Sequence, residues 1–128
     1  MNDTPDTEKN TVLIVDDEND LRDLLCQLLN GKGYNVLSAS NGVEALEHIK
    51  DRLPNIIVTD VNMPELGGKE LYKKMLNNEG KPKCPFLFLA AQGELSDFFT
   101  EDIEDVGFIG KPFLLPDILA KVADMIKN

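Results

Sequence analysis

VLIVDDEND, residues 12–20, decides how the rest of the chain reads: four apolar residues in succession, Val12 to Val15, run straight into Asp16, Asp17 and Glu18. An unbroken apolar run of this length fits a strand buried on both faces, the setting of a parallel sheet covered by helices on either side. Working outward, apolar runs recur at 56–58, 86–89 and, shorter, at Phe108-Ile109, with a mixed one at 35–38. Amphipathic stretches separate them. The alternation predicts an α/β fold of five strands, (βα)₅, with the second and fifth strands suited to sheet edges.

The first stretch between strands carries Leu21, Leu24, Leu25, Leu28 and Leu29 on one helical stripe, closed by Gly31 and Gly33. Asn41 is the expected N-cap of a second helix bearing Val43, Ala45, Leu46 and Ile49, which Pro54 forbids from continuing. A third begins near Gly67-Gly68 and carries Leu71, Tyr72, Met75 and Leu76. Pro116 fits the first turn of the last helix, whose inward residues are expected to be Leu119, Val122, Ala123 and Ile126. The segment 94–105, ELSDFFTEDIED, holds six acids and no base. Glu101, Asp102, Glu104 and Asp105 crowd the C-terminal half of any helix there, where the macrodipole disfavours each by about 0.3–1 kcal/mol. A short or frayed fourth helix is expected, with Phe98 or Phe99 left exposed because adjacent residues cannot share one face.

At 128 residues, 42% hydrophobic and 28% charged, the chain has the size and composition of one soluble globular domain. Residues 1–10 read as a polar tail and 11–127 as the domain. The net charge of −10 repels phosphate backbones, which excludes DNA and RNA as direct ligands and favours basic or apolar protein partners. No run approaches the roughly 18 apolar residues of a membrane span, and 1–11 lacks the apolar centre of a signal peptide, so the expected location is the cytoplasm. Cys26 and Cys84 have neither metal-ligand nor disulfide spacing and read as reduced thiols. His48, among charged residues, reads as solvent-exposed.

Ligands of doubly wound sheets bind beyond the carboxyl ends of the strands. Those positions here hold Asp16-Asp17-Glu18, Thr59-Asp60, Ala90-Ala91-Gln92 and Gly110-Lys111-Pro112. Taken singly, the acids before a helix are ordinary caps, Asp60 an ordinary turn residue and Lys111 a surface lysine. Taken together, three carboxylates and one ammonium are expected to converge. Such a cluster is tolerable at neutral pH only if a cation neutralises it or some members take up protons. Mg²⁺, a hard cation held by one or two carboxylates plus phosphate oxygens, suits it, with Asp60 placed to attack phosphorus.

VLIVDDEND at 12–20, IIVTDVNMPELGG at 56–68 and GFIGKPF at 107–113 together resemble the receiver domain of two-component response regulators, over nearly the whole chain. The resemblance implies a flavodoxin-like doubly wound sheet with strand order 2-1-3-4-5. It implies Asp60 as phosphoacceptor, Asp17 as a direct Mg²⁺ ligand, Asp16 acting mainly through metal-bound water, and the backbone carbonyl of Asn62 completing the metal site. It implies Lys111 on the phosphoryl group, a cis bond before Pro112 that aims it, and switch positions at Ala90 and Phe108. Ala90 departs from the family's usual Thr or Ser, whose hydroxyl follows the phosphoryl group, so phosphoryl transfer is expected to survive and signal transmission to differ. Phe108 lacks the hydroxyl of the Tyr often found there.

The implied donor is a histidine kinase or histidine phosphotransfer protein. The implied output is protein contact through the fourth helix, fifth strand and fifth helix, by a stand-alone regulator that is a monomer or weak dimer without separate substrate turnover. A receiver-fold binding module or phosphate sink is the alternative that Ala90 motivates. Haloacid-dehalogenase-like phosphohydrolases look for a second acid two residues after the nucleophile, where this chain has Asn62. A flavodoxin-like cofactor protein needs a hydroxyl-rich loop after Val15, which is missing.

Overall fold

The computed structural model describes residues 10–91 and 105–126. Five strands, β1 (Thr11–Val15), β2 (Asn35–Ala39), β3 (Ile56–Asp60), β4 (Phe86–Ala90) and β5 (Val106–Gly110), form one sheet in the order β2-β1-β3-β4-β5. Every pairing is parallel. The described helices are α1 (Asn19–Gly31), α2 (Gly42–Asp51), α3 (Gly68–Lys74) and α4 (Leu115–Ile126). α4 is the last helix of the sequence reading. The expected acidic helix falls on 94–105, of which Asp105 alone lies within the described residues, and Phe98 and Phe99 lie outside them.

Side chains alternate across a strand, so each central strand feeds two cores. Leu13, Val15, Ile57, Phe86 and Phe88 pack beneath α2 and α3 with Ala45, Leu71 and Tyr72. Val12, Ile14, Val58, Leu87 and Leu89 pack on the other face with Leu25, Leu29, Ile118 and Val122. β1, β3 and β4 are buried throughout, whereas β2 and β5 are partly exposed, as edges are.

Asn41 caps α2 as its sequence predicts, its Oδ1 accepting from Glu44 N at 3.0 Å. Four expectations need correction. Leu24 is 40% exposed, because the five-leucine stripe of α1 is wider than the face the sheet covers. β5 is five residues long rather than two; its glycines hid it, and a Cβ at Gly107 would meet Met125 Sδ at 2.8 Å, so the small residue admits α4. In α4 the fully buried residues are Ile118 and Val122, while Leu119 and Ile126 are half-buried and Ala123 is exposed. The sequence LPDILAKVADMI is apolar on two neighbouring ridges, and periodicity alone could not choose between them. His48 is half-buried, with Nε2 2.9 Å from Ser38 O.

No helix among the described residues is long and apolar enough to cross a membrane. Cys26 and Cys84 are both free; burial pushes the Cys84 thiol up to about 12, which keeps it protonated and inert.

Candidate functional site

Strand ends bring the site together. β1 delivers Asp16 directly after Val15, anchored by Asp16 N donating to Ala39 O at 3.1 Å. The turn that follows folds back so that Glu18 N donates to Asp16 Oδ1 at 2.8 Å. Arg22, one turn into α1, donates through Nη1 to Asp16 O at 2.8 Å and through Nη2 to Asn19 Oδ1 at 2.6 Å, clamping the turn. Sequence reasoning passed over Arg22, because a single arginine in the first turn of a helix carries no pattern.

Asp60 ends β3 and is buried, like Asp16, while Asp17 is exposed. Carboxylate oxygens of Asp16, Asp17 and Asp60 all lie within 4.8 Å of one another. From the far side, Lys111 follows β5, tied by Lys111 N donating to Ala90 O at 2.8 Å, and the Lys111–Pro112 bond is cis. Lys111 Nζ stands 2.8 Å from Asp60 Oδ1. The contact is an ion pair rather than a well-angled hydrogen bond. Asn62 lies exposed two residues beyond Asp60, in the loop 61–67 that leads to α3. Ala90, at the end of β4, is buried and presents only a methyl group. Phe108 is half-buried and stacks on Phe88, with ring centroids 5.8 Å apart and planes at 19°.

Asp16 tests whether a cation fits. Its Oδ2 is buried without a hydrogen-bond partner. Desolvation, with the neighbouring Asp60 charge adding to it and the Glu18 N–H opposing it, pushes the Asp16 carboxyl from an ordinary 3.8 up to about 7. An orphaned buried oxygen within a trio of acids is a donor set for a hard, oxygen-seeking cation such as Mg²⁺.

The family's sequence profile, described as the response regulator receiver domain, matches residues 12–123. The chain belongs to this family. Among curated relatives, a response regulator MprA from a Mycobacterium species is 34% identical over 118 residues, covering 91% of this chain and 50% of that protein. A histidine kinase P4 from Formosa agariphila is 34% identical over 94% of this chain but only 9% of its own length. The receiver domain thus spans half or less of these relatives. Among solved structures, a putative response regulator from Chloroflexus aurantiacus superposes with a TM-score of 0.78 at 31% identity, covering 94% of this chain and all of that one. The receiver domain of the hybrid histidine kinase CckA gives 0.73 at 27% identity, covering 92% of this chain and all of its own. Receiver domains of this family belong to two-component phosphorelay signalling.

Asp16 gives this receiver domain a pH signature. Its folded pKa lies above the ordinary value, so the folded state binds that proton more tightly than the unfolded chain does. In EDTA, the contribution of Asp16 to stability is therefore expected to be full below about pH 4, to be lost as pH rises to about 7 and to stay lost above it. Asp16→Asn removes this titration and should be more stable than wild type at pH 8 by about 1–3 kcal/mol, converging on it near pH 4. Urea unfolding at the two pH values measures this, and equal stabilities at pH 8 would contradict it.

Proposed function

We propose that this receiver domain accepts a phosphoryl group on Asp60 from a histidine kinase or histidine phosphotransfer protein, in a Mg²⁺-dependent reaction, and signals by protein contact. The observation that carries the reading is the gathering of two buried carboxylates, one exposed carboxylate and the Lys111 ammonium around one point.

Asp17, Asp60 and the Asn62 backbone carbonyl are the residues that would hold Mg²⁺, with Asp16 acting mainly through its water shell. Bound there, the ion would supply positive charge to the phosphoryl oxygens, the role such ions play in phosphoryl transfer. In the transfer, the donor's P–N bond breaks, its electron pair stays on the imidazole, and a bond forms between phosphorus and an Asp60 oxygen. Lys111 already stands at Asp60 Oδ1 and is placed to follow the charge as it spreads to the phosphoryl group. Arg22 and the Glu18 N–H fix the turn that carries Asp16 and Asp17.

Residues 11–127 act as the receiver unit and 1–10 as its tail. The domain works in the cytoplasm as a monomer or weak dimer and turns over no substrate of its own. About −1.5 to −2 charges added at Asp60 bias the surface that β5 and α4 present, and the acidity of the sequence 94–105 selects a basic partner. The test is incubation with acetyl phosphate and Mg²⁺ followed by intact mass, with EDTA and Asp60→Asn as controls. One phosphoryl increment on wild type in Mg²⁺ alone is the expected result.

Ala90 favours a second reading, a binding module or phosphate sink in which switching is weak. Its methyl cannot hydrogen-bond a phosphoryl oxygen, so the Ala90 side chain does not follow the incoming charge. Partner affinity measured with and without phosphorylation separates the readings. A ratio near one establishes the second, because a modification that does not discriminate between two states shifts neither.

A further inference from the structure

We propose that Asn41 and Glu65 are positioning residues for the Mg²⁺ and phosphoryl site, joining the N-terminus of α2 to the loop 61–67 that carries Asn62. The inference rests on the Mg²⁺-dependent reading of the site.

The loop leaves Asp60 and is pinned at its far end by α3, where Gly68 N and Lys69 N donate to Val61 O at 2.9 and 3.3 Å and Gly67 N donates to Glu70 Oε1 at 3.2 Å. Its tip is held by a different element. Gly42 N, in the first turn of α2, donates to Leu66 O at 2.7 Å, and Asn41 Nδ2 donates to Glu65 Oε1 at 2.9 Å. The approach is close enough that a Cβ on Gly42 would meet Leu66 O and Cδ2 at 2.7 Å. Glu65 itself sits at φ 67°, a left-handed conformation that a non-glycine residue rarely adopts without compensating contacts.

The two side chains of the latch meet across 24 positions of sequence. Asn41 divides its amide between two duties: Oδ1 caps α2 by accepting from Glu44 N, and Nδ2 holds Glu65. The backbone carbonyl of Asn62 lies between the anchored ends, so its aim depends on where the tip is fixed. Outer contacts of this kind set how well metal ligands are presented.

The division of duties gives a clean test. Asn41→Asp keeps the capping oxygen but puts a second carboxylate against Glu65, which breaks the latch. Glu65→Gln restores a donor, so the double variant Asn41→Asp/Glu65→Gln rebuilds the hydrogen bond with its polarity reversed. Mg²⁺ titration by calorimetry and acetyl phosphate labelling rates are measured on wild type, the single variant and the double variant, beside urea unfolding in EDTA. Asn41→Asp is expected to bind Mg²⁺ about ten-fold more weakly and to label more slowly. The double variant should return close to wild type.

The direction is diagnostic, since an added negative charge near the site would by itself strengthen cation binding. Unfolding of Asn41→Asp should stay near wild type because the cap survives, which separates loss of positioning from loss of fold. Unchanged Mg²⁺ affinity in Asn41→Asp overturns the proposal, and so does weakened affinity that the second substitution fails to restore. Wild type that takes up no Mg²⁺ would instead strike the reading of the site itself, and the latch with it.

Discussion

Asp60→Asn is expected to leave a folded receiver domain that gains no phosphoryl group from acetyl phosphate and Mg²⁺, under conditions where wild type gains one. The loss should be complete, because an amide oxygen or nitrogen with its lone pair delocalised is no substitute for a carboxylate nucleophile. The prediction discriminates between the two buried acids. Asp16 has one oxygen occupied by the Glu18 N–H, which engages a lone pair that attack on phosphorus would need. Asp60 Oδ1 instead faces Lys111 Nζ at 2.8 Å, where negative charge is welcome. A residual increment on Asp60→Asn, mapped by peptide mass to Asp16 or Asp17, would reassign the acceptor. Fold integrity is checked by far-UV circular dichroism, and Asn is close enough in shape to fit the same space.

How much of this was legible in the sequence follows from what a sequence pattern records. Apolar runs record burial, so β1, β3 and β4 were readable from Val12–Val15, Ile56–Val58 and Phe86–Leu89, whose side chains are fully enclosed. The convergence of charged side chains was readable because strand ends are where a doubly wound sheet exposes chemistry, and Asp16, Asp17, Asp60 and Lys111 stand there. Orientation was harder to read. The last helix is apolar on two adjacent ridges, and its packing on Ile118 and Val122 is chosen by the sheet beneath it, through the space that Gly107 leaves. Arg22 on the Asp16 carbonyl and Asn41 on Glu65 were not readable. Each is a hydrogen bond between a loop and a neighbouring element, and such contacts leave no period in the sequence. The half-buried His48 is a similar case, since Ser38 O meets its ring only once β2 and α2 are assembled.

Gly68→Ala is expected to be the most damaging glycine-to-alanine change among the described residues, costing about 3 kcal/mol of stability and impairing phosphoryl uptake together with it. Gly68 opens α3 directly over the end of β3, and its φ is not the reason only glycine fits. A Cβ there would collide with the backbone carbonyl oxygen of Asp60 and press on Thr59 Cγ2 at 3.1 Å. Neither neighbour yields easily. The Asp60 carbonyl belongs to a central strand paired on both sides and also accepts the Thr59 hydroxyl at 2.9 Å, and Thr59 is fully buried. Relief must therefore come from lifting α3 or from shifting Asp60, the residue whose carboxylate has to sit opposite Lys111. Lifting α3 costs packing of Leu71 and Tyr72 against the sheet, and shifting Asp60 costs alignment. Gly31→Ala is the matched control, since a Cβ there meets nothing within 4 Å, and it should leave stability unchanged or raise it by about 0.5–1 kcal/mol. Urea unfolding and acetyl phosphate labelling of both variants measure the contrast. Equal behaviour of the two glycine substitutions would show that α3 can rise from β3 without disturbing the acceptor, and the close approach at Gly68 would then be incidental to the site.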